Sequence, residues 1–201
     1  MPKKNRNNGD ERARQMLAQE AARIIVNHGV RDYRAAKMKA AERLGFNTRG
    51  SLPGNAEIEQ AVADHLQLFG RESHSDFLLD LRKTALEAME LLGAFSPRLV
   101  GPVLNGTADE HSAINLHVFA DHPEVVADTL ASAGFSCRPY ERRLKSRRDQ
   151  TETYAGFQFE IDHSTVEATV FREDGIRQAP LSPITGKPMQ RADSKAVAAL
   201  L

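Results

Sequence analysis

The spacing of apolar residues changes once along this chain, at Ser96-Pro97, and that change limits what the chain can fold into. Ahead of it, apolar side chains recur at helical spacing; behind it they alternate, as on a strand with one buried face. Leu17, Ala21, Ile24, Ile25 and His28 predict a first helix with Gly29 as its stop. Asp32 stands at the N-cap of a second, which carries Tyr33, Ala36, Ala40 and Leu44 and is closed by Gly45. Pro53-Gly54-Asn55 opens a third helix with Ile58, Val62, Leu66 and Phe69 on one face and Gly70 behind it. A fourth, from about Asp76, presents Leu78, Leu81, Ala85, Met89 and Leu92 before Gly93.

Past Ser96-Pro97, residues 98–100 read as a short buried strand running into a Gly101-Pro102 turn. Ile114, Leu116 and Val118 alternate with Asn115 and His117, and Pro123 starts a helix over 124–133 that ends at Gly134. Three further strands follow over 135–144, 154–162 and 165–171, the last two joined tightly through His163-Ser164. The expected organisation is a disordered tail over 1–9, a helical region over 10–95, an α/β region over 96–177 and an extension over 178–201 with a short helix from 193. The fold class is α+β, N-terminal helices followed by a β-β-α-β-β-β unit.

Composition excludes whole classes. The 201 residues are 41% hydrophobic and 27% charged, an ordinary globular balance that rules out a disordered or collagenous chain. No stretch has the length of apolar sequence that a membrane span needs, and Met1-Pro2-Lys3-Lys4-Asn5-Arg6 lacks the apolar core of a secretory signal, so the expected location is cytoplasmic. Cys137 is the one cysteine, which excludes an internal disulfide and a Cys-rich zinc site. Lys plus Arg equal Asp plus Glu at 27 each, but the charge is segregated: residues 1–50 carry +7, 101–137 carry −5 and 138–149 carry +4.

The segment Leu99-Val100-Gly101-Pro102-Val103-Leu104-Asn105-Gly106, continued through Ser112-Ala113-Ile114-Asn115-Leu116, resembles the signature of the nucleotidyltransferase superfamily. Members, DNA polymerase beta-like and minimal nucleotidyltransferases among them, write apolar-Gly-Ser, then a second Gly, then Ser-Asp-apolar-Asp-apolar on the next strand. Gly101 matches the first glycine, Gly106 the second and Ser112 the serine; Pro102 replaces the first serine, and Ala113 and Asn115 replace the two aspartates. Two carboxylates at i and i+2 of a strand share a face and can hold two Mg²⁺ ions against a triphosphate, while a glycine turn lets backbone N–H groups approach the phosphates. A third carboxylate on a neighbouring strand completes that site in the family; Glu167, between Val166 and Ala168, matches it.

The resemblance covers about half the chain, residues 78–171. It implies a mixed nucleotidyltransferase-like sheet with helices packed on one face, in a bacterial stand-alone member with a degenerate catalytic motif. Asn115 and Glu167 are what remains of the catalytic set, with Glu167 the candidate ligand for Mg²⁺, and Gly101, Pro102, Gly106, Ser112, Arg142 and Arg143 are the candidate nucleotide or phosphate contacts. The implied function is binding of a nucleotide, an RNA or a protein partner in the former substrate cleft. Two alternatives stand beside it: an active metal-dependent enzyme transferring NMP from an NTP to RNA, protein or a small molecule, and a structural or interaction module with a vestigial cleft.

The other chemistry-bearing residues have plainer readings. The basic run Arg138, Arg142, Arg143, Lys145, Arg147 and Arg148 suits phosphate contact or a solvated loop, and Tyr140 is the one aromatic within it. His111, His117 and His122 read as surface or hydrogen-bonded histidines before a metal cluster, Cys137 as an inert strand cysteine, and Lys187 as a turn lysine. Glu160 and Asp162 read as an acidic strand edge before substitute metal ligands.

Overall fold

The computed structural model describes residues 4–28, 30, 32–46, 52–69, 72–147 and 150–201. Contacts divide the chain into two units, 1–71 and 72–201.

The first unit is built from α1 (Lys4–His28), α2 (Tyr33–Leu44) and α3 (Asn55–Phe69). Its interior is small-residue packing: Ala18, Ala21, Ala22, Ala36, Ala40 and Ala41 are buried with Leu17, Ile24, Ile58 and Val62. The Asp32 carboxylate accepts from the backbone N–H of Arg34 and Ala35 and so satisfies two otherwise orphaned donors of α2. A cap of this kind contributes about 1 kcal/mol. Gly45 ends the helix in a left-handed conformation. At the entry to α3 the Glu57 carboxylate accepts from Gly54 N–H at 2.7 Å and from Arg14 of α1 at 2.7 Å, which ties the two helices together at that end. The tail expected to be disordered over 1–9 is helical from Lys4, because adding residues to an existing helix needs only propagation; Gly9 opposes it by about 1 kcal/mol, and Asn5, Asn7 and Asn8 by less each. Residues 1–3 and the two expected stops, Gly29 and Gly70, lie outside the described residues.

The second unit begins with α4 (Glu72–Leu91), so the fourth helix belongs with the strands and the domain boundary lies well before the change of period. Its Leu81, Ala85, Ala88 and Met89, with Leu92 just beyond, pack into the core of the sheet. The period change marks the end of a helix, not the edge of a unit. Then follow β1 (Arg98–Val100), α5 (Pro102–Asn105), β2 (Ile114–Phe119), α6 (Glu124–Ser132), β3 (Arg138–Arg147), β4 (Gln150–Ile161), β5 (Ser164–Phe171) and α7 (Ser194–Ala198). The sheet is mixed, in the order β1-β2-β5-β4-β3, with β2 and β5 parallel and the other pairs antiparallel.

Strand alternation sorts the side chains cleanly. Leu99, Ile114, Leu116, Val118, Phe159, Ile161, Val166, Ala168 and Val170 form one buried core with residues of α4, α6 and α7, so the helices cover one face. The other face carries Asn115, His117, Tyr140, Arg142, Tyr154, Glu167 and Thr169.

Three strands have limits that differ from the sequence reading. β3, expected over 135–144, spans Arg138–Arg147: Phe135 N–H instead closes the end of α6 on Leu130 O, and Lys145 and Arg147 pair with Thr151 and Gln150 of β4. The β4–β5 turn is Asp162-His163, both at positive φ (46° and 67°), one residue earlier than His163-Ser164. Ser164 is already paired with Ile161, and two positive-φ residues are what a two-residue hairpin turn requires. β4 starts at Gln150 rather than near Tyr154, because Thr151, Glu152 and Thr153 have partners on β3 although they carry no hydrophobic pattern. Among the described residues, no helix is long and apolar enough to cross a membrane.

Candidate functional site

The face of the sheet opposite the helices gathers its polar residues at the centre. Parallel pairing sets Asn115 of β2 beside Glu167 of β5. Arg142 reaches to both from edge strand β3: its Nη1 donates to Asn115 Oδ1 at 2.8 Å, and its Nη2 is ion-paired with Glu167 Oε2. Asn115 Nδ2 donates to Ala113 O at 2.9 Å, so the whole amide is fixed. Beside Arg142, Tyr140 lays its ring over Gly156 of β4 and shares a 2.8 Å hydrogen bond with the buried Thr169 hydroxyl. The Arg142 guanidinium sits 5.4 Å from the Tyr140 ring centre, within cation–π range.

The glycine turn closes on the same spot. Gly101 has φ 73° and ψ −152°, a region that side-chain-bearing residues scarcely enter, and a Cβ there would stand 3.6 Å from Asn115 Nδ2. Pro102 follows as the first residue of α5, where its missing N–H has no helical partner to lose. Gly106 ends α5 in the left-handed conformation, next to Leu78. The Ser112 hydroxyl donates to Asp109 Oδ1 and accepts from Asp109 N–H, which commits it to closing its own loop. Arg143 follows Arg142 on β3, so alternation turns it to the opposite side of the sheet. The structure thus brings together Gly101, Asn115, Arg142 and Glu167, and leaves Ser112, Gly106 and Arg143 with other work.

Next to this cluster lies a second that periodicity does not mark. His117 is 1% exposed and accepts from Arg191 Nε at 3.0 Å. Arg191 comes in from the C-terminal segment, lies 5.0 Å and 4.9 Å from the rings of Phe119 and Phe171, and donates through Nη1 to the carbonyls of Gly175 and Ile176. Burial, then the cations Arg191 and Arg142, push the His117 imidazole down to about 3, so it is a neutral acceptor. Burial likewise lowers Arg191 to about 10, which leaves it charged at neutral pH. Tyr154, whose ring is 4.4 Å from that of Phe171, donates to Glu152; burial first, and then that carboxylate, raise its hydroxyl to about 12.

The residues at the motif do not fit a divalent metal. Ala113 offers no side-chain ligand, Asn115 is neutral, and the one carboxylate, Glu167, is already neutralised by the Arg142 guanidinium. Hard cations need several charged oxygens, and a fixed cation in their midst opposes them. Among the described residues no cluster of three or more His, Cys, Asp and Glu side chains is placed to hold a metal ion. No protein-family model, curated protein or solved structure matches the chain.

Proposed function

We propose that this protein is a nucleotidyltransferase-like pseudoenzyme that binds the phosphate groups of a nucleotide on the polar face of its sheet. The observation that carries the reading is the Arg142 guanidinium held between Asn115 and Glu167, at the positions where the resemblance expects a carboxylate-bound metal. The paired guanidinium keeps N–H donors that an anion can take, without the open coordination that phosphoryl or nucleotidyl transfer uses. A guanidinium has five N–H donors in a planar fork that matches phosphate oxygens, and Asn115 and Glu167 take two of them. The Arg142 side chain is 31% exposed, so part of it meets solvent. The close approach of Gly101 to Asn115 supports the same placement.

The test is to incubate the full chain with labelled nucleoside triphosphates, Mg²⁺ or Mn²⁺, and RNA or protein acceptors, and to titrate tripolyphosphate separately. No metal-dependent transfer is expected, and tripolyphosphate should bind about tenfold or more weakly to Arg142→Gln, the loss of a charge-assisted contact. Metal-dependent transfer abolished by Glu167→Ala would establish the active enzyme instead.

A second expectation separates the missing acids from the inserted cation. Restoring Ala113→Asp and Asn115→Asp together should leave Mg²⁺ affinity low while Arg142 is present, and adding Arg142→Gln should raise it into the millimolar range or below. Calorimetric Mg²⁺ titration of the double and triple variants reads this directly; tight Mg²⁺ binding by the double variant would show that Arg142 does not hold the ion position.

A further inference from the structure

One turn fixes which way the backbone groups of the outer strand point. Asp162-His163 is a two-residue turn, so Ile161 and Ser164 face each other as a hydrogen-bonded pair. Backbone groups along a strand alternate between its two neighbours, so Ile161, Phe159 and Phe157 of β4 bond toward β5, and Gln158, Gly156 and Tyr154 bond toward β3. Their β3 partners Arg138, Tyr140 and Arg142 therefore face inward. The N–H and C=O groups of Glu141 and Arg143, and the C=O of Pro139, point out from the sheet. Two observations agree with this phase. Pro139, which has no N–H to give, stands at an outward position, where the inner ladder loses nothing. Lys145, of the same phase, accepts at its carbonyl from Leu181 N–H at 2.7 Å, outside the β3–β4 ladder.

The two edges of the sheet are finished differently. At β1, Leu99 and Ala192 exchange hydrogen bonds of 2.8 and 3.0 Å, so the C-terminal segment covers that edge. At β3 the cover ends at Leu181, because the chain turns back through a bond from Gly186 N–H to Ser182 O. Among the described residues no hydrogen bond reaches the outward groups of Pro139, Glu141 and Arg143, and all three residues are exposed. A row of unpaired strand donors and acceptors is a template for another strand.

Charge decides which strand. Residues 138–149 carry +4, and Arg143 and Lys145 project from one side of the pleat. A second copy would bring the same basic strand against this one, and charge on an edge strand keeps like chains apart for that reason. A segment of opposite charge meets no such barrier: acidic side chains at alternate positions of an added strand lie about 5 Å from Arg143 and Lys145, at cross-strand pairing distance. We propose that the outward edge of β3 over 139–143 is a docking site for an extended, acidic segment of a partner protein, which adds to the five-stranded sheet beside β3. The site uses edge backbone groups and not Arg142, so it stands apart from the phosphate reading above.

Fluorescence anisotropy of a labelled heptapeptide of alternating glutamate and valine, titrated with the full chain, tests it. The peptide should bind about tenfold or more tightly than its lysine counterpart, and N-methylation at alternate residues should remove that binding. Glu141→Pro deletes an outward N–H and keeps every basic residue; it should weaken the acidic peptide about tenfold although it makes the edge more positive. Arg143→Glu should weaken it at least as much. Hydrogen exchange followed by NMR on the natural protein reads the same edge should Glu141→Pro fail to fold. Saturating peptide should slow the Glu141 and Arg143 amides several-fold and leave the Arg142 amide, already in the ladder, unchanged. No binding of the acidic peptide, or binding indifferent to both Glu141→Pro and N-methylation, would overturn strand addition. A single-stranded oligouridylate that displaces the peptide and ignores Glu141→Pro would make the edge a phosphate surface instead. Protection of the Glu141 and Arg143 amides that rises with protein concentration alone would give the edge to a second copy and overturn the acidic partner.

Discussion

Between pH 6.5 and pH 4.5 the protein should lose about 2–3 kcal/mol of stability through His117 alone, and His117→Asn should abolish that part of the slope. The cause is the imidazole's surroundings: it is buried on the sheet face, accepts from Arg191 and feels the Arg142 charge, and its folded pKa is lowered to about 3. The unfolded chain titrates near the ordinary histidine value of about 6.5. Within that window the unfolded state binds a proton that the folded state refuses, so stability falls as pH falls and is fully present above about pH 6.5. Each pH unit inside the window is worth about 1.4 kcal/mol. Asparagine at 117 keeps an oxygen where Nδ1 accepts from Arg191 but carries no titratable group. Urea denaturation followed by circular dichroism at several pH values, on the natural protein and His117→Asn, measures the difference. Parallel pH dependences for the two proteins would show that His117 protonates freely in the folded state.

Local signals in the sequence located the elements well and their partners poorly. The Asp32 cap, the Gly45 stop and the limits of β1 are set by nearest neighbours, and all three are legible from a few residues. The assignment of α4 is not, because a helix with one apolar stripe reads the same whether a sheet or other helices cover it; only tertiary packing of Leu81, Ala85 and Met89 decides. The candidate site shows the same division. That Ala113 and Asn115 stand where acids are expected is written in the sequence; that a cation fills the gap depends on the β3–β4–β5 register, which brings Arg142 across 25 positions to Glu167. Arg191 meets His117 across 74 positions, and no periodicity links a C-terminal loop to a strand so distant. Arg142 and Arg143 look equivalent in a basic run, yet the pleat sends them to opposite sides.

Gly156 is the position where the smallest substitution should have a large effect. Its backbone is ordinary strand, so glycine is not there for conformational freedom; it is there because Tyr140 occupies the space above it. A Cβ at 156 would lie 2.3 Å from Tyr140 Cζ and 2.7 Å from Cε2 and the hydroxyl oxygen, closer than nonbonded atoms approach. The ring is not free to swing aside at no cost, since its hydroxyl is hydrogen-bonded to Thr169, which has 0% exposure, and its face is next to the Arg142 guanidinium. Moving it would leave the Thr169 hydroxyl buried without its partner and loosen Arg142 from Asn115 and Glu167 together. Overpacking and a buried unpaired hydroxyl each cost about 1–3 kcal/mol, so Gly156→Ala should destabilise the protein by about 2–4 kcal/mol and weaken phosphate binding as well. The decisive comparison is a double-mutant cycle by urea denaturation. In a Tyr140→Ala background the clash has no second partner, and Gly156→Ala should then be close to neutral, because alanine suits a strand at least as well as glycine does. A Gly156→Ala penalty that is unchanged without the Tyr140 ring would mean that the strand itself, not the aromatic cover, requires glycine, and that Arg142 is held in place by something other than this stack.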